Sequence, residues 1–352
     1  MGYRAAIKYG YSSARVKAME SRLMSPAAMQ GMINAKDASS MIALLIQTDY
    51  NRFLAEFGGV NIRQSMIDFA LSKSFADSVS KLVQITPKGE REIIRGLAGK
   101  WELNNVKLAI EAKERGAAYD EISRYIIDYG RYGQLAIKEA MHEDTMEGLI
   151  SRLSKNSPYS SIMESASAAY SSGKEASSAL AAIDAGYYKS REGIIDALKQ
   201  RREHALRIVR LDIDMRNIIV LVRAKKRGLN FEDASPALVS RGGIRIDSLR
   251  RTFQGSDGVE GFVSQLHAMD LADAIPAYRK NGQLITFEIA MRNYIFEASA
   301  RILRHSVLSI GTIIAYVYLK EMELFALRIL IKSKAYGLEK EEVSRLISWR
   351  TS

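Results

Sequence analysis

Trp101 to Gly116, WELNNVKLAIEAKERG, decides how this sequence is read, because its pattern occurs three times. Counted back from Gly116, Lys113 stands three before it, Val106 ten and Glu102 fourteen. Gly228 has Lys225, Ile218 and Asp214 at the same offsets, and Gly337 has Lys334, Leu327 and Glu323. The copies are spaced by 228 − 116 = 112 and 337 − 228 = 109 residues. Amphipathic helices that end in Lys-x-x-Gly are common, so one match carries little weight. Three at near-equal spacing point to a unit that was triplicated.

Each copy forms a helix for local reasons. Leu103, Val106 and Ile110 share one face, as do Met215, Ile218 and Val222, and Leu324, Leu327 and Ile331. The acid lies toward the N-terminal end and the lysine in the last turn, where each suits the helix dipole. Glycine closes the helix because it takes the left-handed conformation without strain. These lysines and glycines are read as shaping helix ends, not as a binding site.

Working outward, the N-terminal segment reads helical from Arg4 to Met24, and Ser25-Pro26 breaks and restarts it with Ser25 as N-cap. Short helices follow through Met29, Met32 and Ile33 and from Asp37 to Gln47. Gly58-Gly59 is a break, and a helix beginning near Ile62 reaches Val83. Thr86-Pro87 is expected to end that helix and cap the next. Leu149 and Leu153 correspond to Met41 and Leu45, and Phe262 and Leu266 repeat the pattern. Ser160 to Tyr188, rich in Ala and Ser, suits closely packed helices. Gly193 to Gly228 reads as nearly unbroken helix, and Leu284 toward Gly337 as one long helix bent near Gly311, with a last helix from Glu339 to Trp349. The best alternating stretch, Gly243-Ile244-Arg245-Ile246, is a poor strand. The expected fold is all-α. It divides into an N-terminal helix (1–24) and helical repeats at 25–118, 119–232 and 233–352, bundles that bury their faces against one another.

Composition limits the function. The 352 residues are 47% hydrophobic and 26% charged, with 5 Pro and no Cys. That excludes disulfides, thiolate metal sites and cysteine nucleophiles. Net charge is +11, which favours an acidic partner, nucleic acid or anionic membrane surface. The apolar run Ser306 to Leu319 spans fourteen positions between charged flanks, and a membrane span needs roughly 20. It is expected to be a helix buried all round.

Catalytic patterns are missing. No G-x-x-x-x-G-K-[ST] loop occurs; Gly96-Leu97-Ala98-Gly99-Lys100 has the wrong spacing. Gly255, Gly258 and Gly261 read as turn and helix-start glycines. His142, His204, His267 and His305 are isolated, and G-x-S-x-G does not occur. Asp212 with Asp214, and Glu341 with Glu342, are expected on different or solvated helix faces. The basic clusters Arg201-Arg202, Lys225-Lys226-Arg227 and Arg250-Arg251 read as solvated helix ends, without the aromatics of a nucleic-acid surface. No catalytic, cofactor or metal residue is expected, and no partner-binding residue is assigned.

The opening Tyr9-Gly10-Tyr11-Ser12-Ser13-Ala14-Arg15-Val16-Lys17-Ala18-Met19, followed by Arg22-Leu23, resembles the start of the C subunit of archaeal-type (A/V-type) rotary ATP synthases. It is also similar to the d subunit of vacuolar ATPases. The resemblance covers essentially the full chain. It implies a funnel of three helical bundles with pseudo-threefold symmetry, peripheral on the cytoplasmic face of the membrane. In that family the chain is a non-catalytic socket, without cofactor, between the central stalk and the membrane rotor ring. The competing readings are a stand-alone helical scaffold and a basic nucleic-acid-binding protein, whose affinity would fall steeply with salt.

Overall fold

The computed structural model describes residues 2–57, 64–200, 203–267, 269 and 271–335. Among them the chain is helical, without strands. Two compact units form, Lys17–Arg191, and Met1–Val16 together with Glu192–Ser352. The expected repeat boundaries at 118 and 232 fall inside these units.

The helix α1 (Gly2–Glu20) contributes to both units. In the Lys17–Arg191 unit, α2 (Pro26–Asn34) is capped by Ser25, whose hydroxyl accepts the Ala28 N–H, with Pro26 in its first turn. The Asp37 carboxylate caps α3 (Ala38–Ile46) through the Ser40 N–H. After α4 (Asn51–Leu54) comes α5 (Gln64–Ile85), then α6 (Arg91–Glu114). Gly58, Gly59 and Ile62 lie outside the described residues. Thr86 does not cap α6. Its hydroxyl donates back to Leu82 O at the end of α5, and a short 3₁₀ turn at Lys88–Glu90 leads into α6 instead. Proline at 87 forbids a continuous helix and holds Thr86 on the α5 side. Phe75 of α5 meets Trp101 of α6 edge to face at 4.4 Å. The short α7 (Tyr119–Ile122) precedes the pair α8 (Gln134–Met141) and α9 (Met146–Ser154). The Ala/Ser-rich stretch forms α10 (Ser160–Gly173) and α11 (Ala176–Ser190), which pack on each other. A Cβ at Gly186 would stand 3.0 Å from Ile162, so glycine sets how closely these two helices approach.

In the other unit, α12 (Glu192–Gln200) and α13 (Leu206–Lys226) are separate helices, interrupted near His204 where one nearly unbroken helix was expected. Then come α14 (Phe231–Ala234), α15 (Ile246–Gln254), α16 (Gly258–Ser264), α17 (Ile275–Asn281), α18 (Ile285–His305) and α19 (Ile310–Ala335). The stretch expected as a bent helix is cut, not bent: Ser306–Ser309 separates α18 from α19, and Leu308 takes a left-handed φ of 65°. A left-handed residue turns the chain out of the right-handed ladder and ends it, whereas a bend at Gly311 would have left the ladder running. Of the run Ser306 to Leu319, expected to be a helix buried all round, Ile310 to Leu319 is helical and buried, whereas Ser306–Ser309 is a turn with Val307 exposed. No helix among the described residues is long and apolar enough to cross a membrane. Gly337 and the Glu339–Trp349 helix lie outside the described residues.

The helix pairs recur along the chain. The pairs α2–α3, α8–α9 and α15–α16 begin at residues 26, 134 and 246. Met41, Leu149 and Phe262 are buried at matching places in their second members, and Leu45, Leu153 and Leu266 are buried four residues further on.

Candidate functional site

The middles of α6 and α13 are largely buried, so their polar side chains need partners. In α6, Trp101, Glu102, Leu103, Asn105 and Val106 are all buried. In α13, the five residues from Leu211 to Met215 are buried, and so is Asn217. This corrects the expectation of solvated faces for Asp212 and Asp214, which are each 1% exposed. A hydrophobic stripe marks only the face that must be covered. It does not exclude burial of the opposite face by other elements.

Two matching latches result. In α6, the Asn105 amide donates to Ile127 O and Tyr132 O, both at 2.8 Å, and accepts the Ile127 N–H at 3.0 Å. In α13, Asn217 donates to Val239 O at 2.8 Å and accepts the Val239 N–H at 2.9 Å. The partners are offset alike, 217 − 105 = 239 − 127 = 112. About one turn earlier on each helix sits the acid. Glu102 accepts the Arg131 N–H and the Tyr159 hydroxyl, the latter at 2.9 Å. Asp214 accepts the N–H groups of Gly243 and Ile244 at 2.9 and 3.0 Å. Gly130 and Gly242 pack directly on these carboxylates, and a Cβ on either would collide with them.

The lysines of the pattern complete each latch. Lys113 donates to Glu143 O and Lys225 to Ser256 O. Gly116 and Gly228 both have φ of 68°, and the residues after them donate to Ala112 O and Ala224 O, closing each helix in a Schellman turn. So each helix binds the segment that follows it through its acid, its asparagine and its lysine.

Electrostatics follow from burial. Desolvation raises the Asp214 carboxyl to about 6, opposed by the Ile244 and Gly243 N–H groups and by Arg210. Desolvation also raises Glu102, opposed by the Arg131 N–H and the Tyr159 hydroxyl. Burial, with the nearby Glu102 charge, pushes Tyr129 up to about 12. Nothing in this arrangement activates a nucleophile; it holds backbone.

At the third copy, Glu323 of α19 is fully buried and accepts from Lys320 at 2.6 Å. Ala326 stands where the other copies have asparagine. Lys334 and Gly337 are beyond the side chains described.

Beside the first latch lies a cleft of about 660 Å³, lined by Lys113, Tyr119, Lys138, Met141 and His142 among others. At the corresponding places in the second copy, Phe253 replaces Met141 and Phe231 replaces Tyr119. The two phenylalanines meet edge to face at 5.8 Å, with the Lys225 ammonium 4.4 Å from the Phe253 ring centre.

The remaining sequence candidates are dispersed. Gly96 to Lys100 are helical within α6. The four histidines are exposed and far apart in sequence, and no group of three or more metal-type side chains forms among the described residues. Gly255 ends α15 and Gly258 begins α16, as expected, whereas Gly261 lies inside α16 and not at a turn or helix start. Lys225 and Lys226 donate to carbonyls, and Arg250 stacks on Phe231 at 4.9 Å, so these cations have structural partners that their run of charge did not announce. Arg201, Arg202, Glu341 and Glu342 lie outside the described residues.

Comparison with known proteins gives this architecture a family. The sequence family described as ATP synthase (C/AC39) subunit matches residues 12–346. The chain belongs to the ATP synthase C/AC39 subunit family. Among similar C/AC39 relatives is the A-type ATP synthase C subunit of Methanocaldococcus jannaschii, 25% identical over 96% of this chain and 86% of that protein. That of Desulfurococcus sp. (strain SY) is 26% identical over 98% and 94%. That of Thermococcus onnurineus is 27% identical over 99% and 93%. The C/AC39 match thus runs nearly end to end in each comparison.

The Asn105 and Asn217 anchors and the Gly130 and Gly242 contacts are what sequence reasoning missed. The signal existed: Asn stands eleven before the closing glycine in two copies, and Gly stands fourteen after it in both. Requiring a match in three copies hid it, because Ala326 breaks the asparagine position.

Proposed function

We propose that this chain is the non-catalytic adaptor of an A-type rotary ATP synthase, the socket that joins the central stalk to the membrane rotor ring. The observation that carries the proposal is the latched long helix inside a C/AC39 family chain. A joint that transmits torque must be stiff, and Glu102, Asn105 and Lys113 tie α6 to the segment that follows it by hydrogen bonds within a packed interior. The second copy repeats that construction at α13.

We infer further that the chain is built from three copies of one helical unit, divided near 118 and 232 after the N-terminal helix. The steps 134 − 26 = 108 and 246 − 134 = 112 between the starting residues of the matching helix pairs support it. In this reading the chain receives the stalk on the cytoplasmic face of the membrane. The chain's partners are then stalk and ring subunits, with no nucleic acid and no cofactor.

The test is binding with purified parts. The full chain, mixed with the ring in detergent and with the stalk subunits, should give one complex by native mass spectrometry that holds both. Binding to neither part, or to the catalytic subunits alone, would overturn the adaptor reading.

A further inference from the structure

The exposed apolar side chains of the described residues are not spread evenly. Seven large ones stand out, and three of them, Tyr3 at 83%, Ile7 at 71% and Tyr11 at 69% exposure, lie on α1. A fourth, Val307 at 59%, is in the turn between α18 and α19. That turn is fastened to α1, since the Leu308 N–H donates to the Ser13 hydroxyl at 3.2 Å.

Tyr3, Ile7 and Tyr11 are spaced i, i+4, i+8, so they make one stripe about 12 Å long at 1.5 Å per residue. At about 100° per residue, Arg4, Lys8 and Arg15 fall together beside this stripe. Tyr9, Ser12, Ser13 and Val16 are buried on the other side and fix the helix's rotation. From Gly2 to Met19 the chain carries Arg4, Lys8, Arg15 and Lys17 and no acid. Arg301, Arg304 and His305 precede the fastened turn and are exposed. The first acid of the helix, Glu20, follows this stretch and pairs with Lys17 at 2.8 Å.

We propose that α1 and the Ser306–Ser309 turn form a docking surface for anionic lipid headgroups, with Tyr3, Ile7, Tyr11 and Val307 entering the interfacial layer. The chemistry favours lipid over a folded partner. Tyrosine places an apolar ring in the interface and a hydroxyl in water, and Arg and Lys lay their stems along apolar surface while their charges reach phosphate. A border of exposed cations, Arg4, Lys8 and Arg15, suits a fluid anionic surface, which offers negative charge wherever a cation lands. A folded partner more often meets mixed charges in fixed register. The proposal builds on the peripheral membrane placement proposed above.

The test is flotation of the full chain with vesicles of phosphatidylcholine, with or without phosphatidylglycerol. The wild type should float with the anionic vesicles, and binding should weaken by about tenfold or more on neutral vesicles or when salt screens the charge. The variant Tyr3→Ser/Ile7→Ser/Tyr11→Ser and the variant Arg4→Glu/Arg15→Glu should each lose a similar factor while keeping the wild-type helical signal and melting temperature, because all five side chains are exposed. Tyr3→Trp should show a blue-shifted emission on anionic vesicles only. Wild-type binding that is absent, or equal on neutral and anionic vesicles, overturns the proposal. So does loss of ring binding by the α1 variants when the wild type ignores vesicles, because the face would then be a protein interface. A wild type that binds vesicles but neither stalk nor ring removes the adaptor reading and leaves this surface standing.

Discussion

The helix ends at Gly116 and Gly228 reach one geometry by different chemistry. Glu102 has a longer arm and shares its charge between a peptide N–H from Arg131 and the hydroxyl of Tyr159. Asp214 is one methylene shorter and takes two peptide N–H groups, from Gly243 and Ile244. The shorter acid demands a closer backbone: at Gly243, where the first copy has Arg131, a Cβ would stand 2.7 Å from the Asp214 carboxylate. The first copy has three bonds on its asparagine and the second two. What the two copies share is a task, the neutralising of a buried carboxylate by the backbone that it anchors. The residues that perform the task differ.

The largest expected effect separates two glycines at matching positions. Gly130 has φ of 68° and also touches the Glu102 carboxyl group, whereas Gly242 touches Asp214 without a left-handed φ. Gly130→Ala should cost about 4 kcal/mol in urea unfolding, from backbone strain and displacement of a buried charge together. Gly242→Ala should cost about half as much. Equal losses would mean that the two carboxylates are not held alike.

Asparagine comes next. Asn105→Leu and Asn217→Leu keep volume but strip partners from buried backbone groups, and each should destabilise by about 3 kcal/mol. Asn105→Leu should exceed Asn217→Leu by about 1 kcal/mol because it also unpairs Tyr132 O. The reverse order would refute the reading of the third bond.

Asp214 gives the comparison a pH dependence. Its ordinary value is 3.8, and burial raises it to about 6 in the fold. Between those values the folded chain binds the extra proton. The stability this group contributes is therefore full below 3.8 and is lost as pH rises through about 6. Asp214→Asn does not titrate. Measured across that interval, the wild type should lose about 2–3 kcal/mol relative to this variant as pH increases. A flat difference would show that the Asp214 carboxyl is not raised above its ordinary value in the fold.

The smallest effect concerns the cleft by the first latch. Met141→Phe copies the residue that stacks under Lys225 in the second copy, and it should stabilise by up to about 1 kcal/mol and raise the melting temperature. A lowered melting temperature would mean that the cleft at Lys113 is shaped differently from its counterpart.

Much of this fold was legible from sequence because helix ends carry local signals. Ser25-Pro26, Asp37 and the closing glycines at 116 and 228 did what their chemistry predicts. The breaks inside long helical stretches were not legible. Nothing near His204 resembles a stop signal, and Leu308 adopts a left-handed φ that its side chain disfavours. Such conformations are fixed by contacts distant in sequence, like the Ser13 hydroxyl that receives the Leu308 N–H. The buried acids were misread for a related reason. Periodicity reports the face a helix must cover, and a polar residue opposite that face looks solvated until the segment that encloses it is placed. For Asp214 that segment lies about thirty residues onward, in the loop at Gly243 and Ile244.

The central claim, that the chain couples and does not catalyse, is tested most directly by reconstitution. An A-type ATP synthase should be assembled in vesicles with and without this chain, and ATP hydrolysis and ion movement measured together. The account predicts that, without the chain, hydrolysis continues in the catalytic portion while ion movement falls to background, and that adding the purified chain restores it. Ion movement that stays coupled to hydrolysis in its absence would contradict the account.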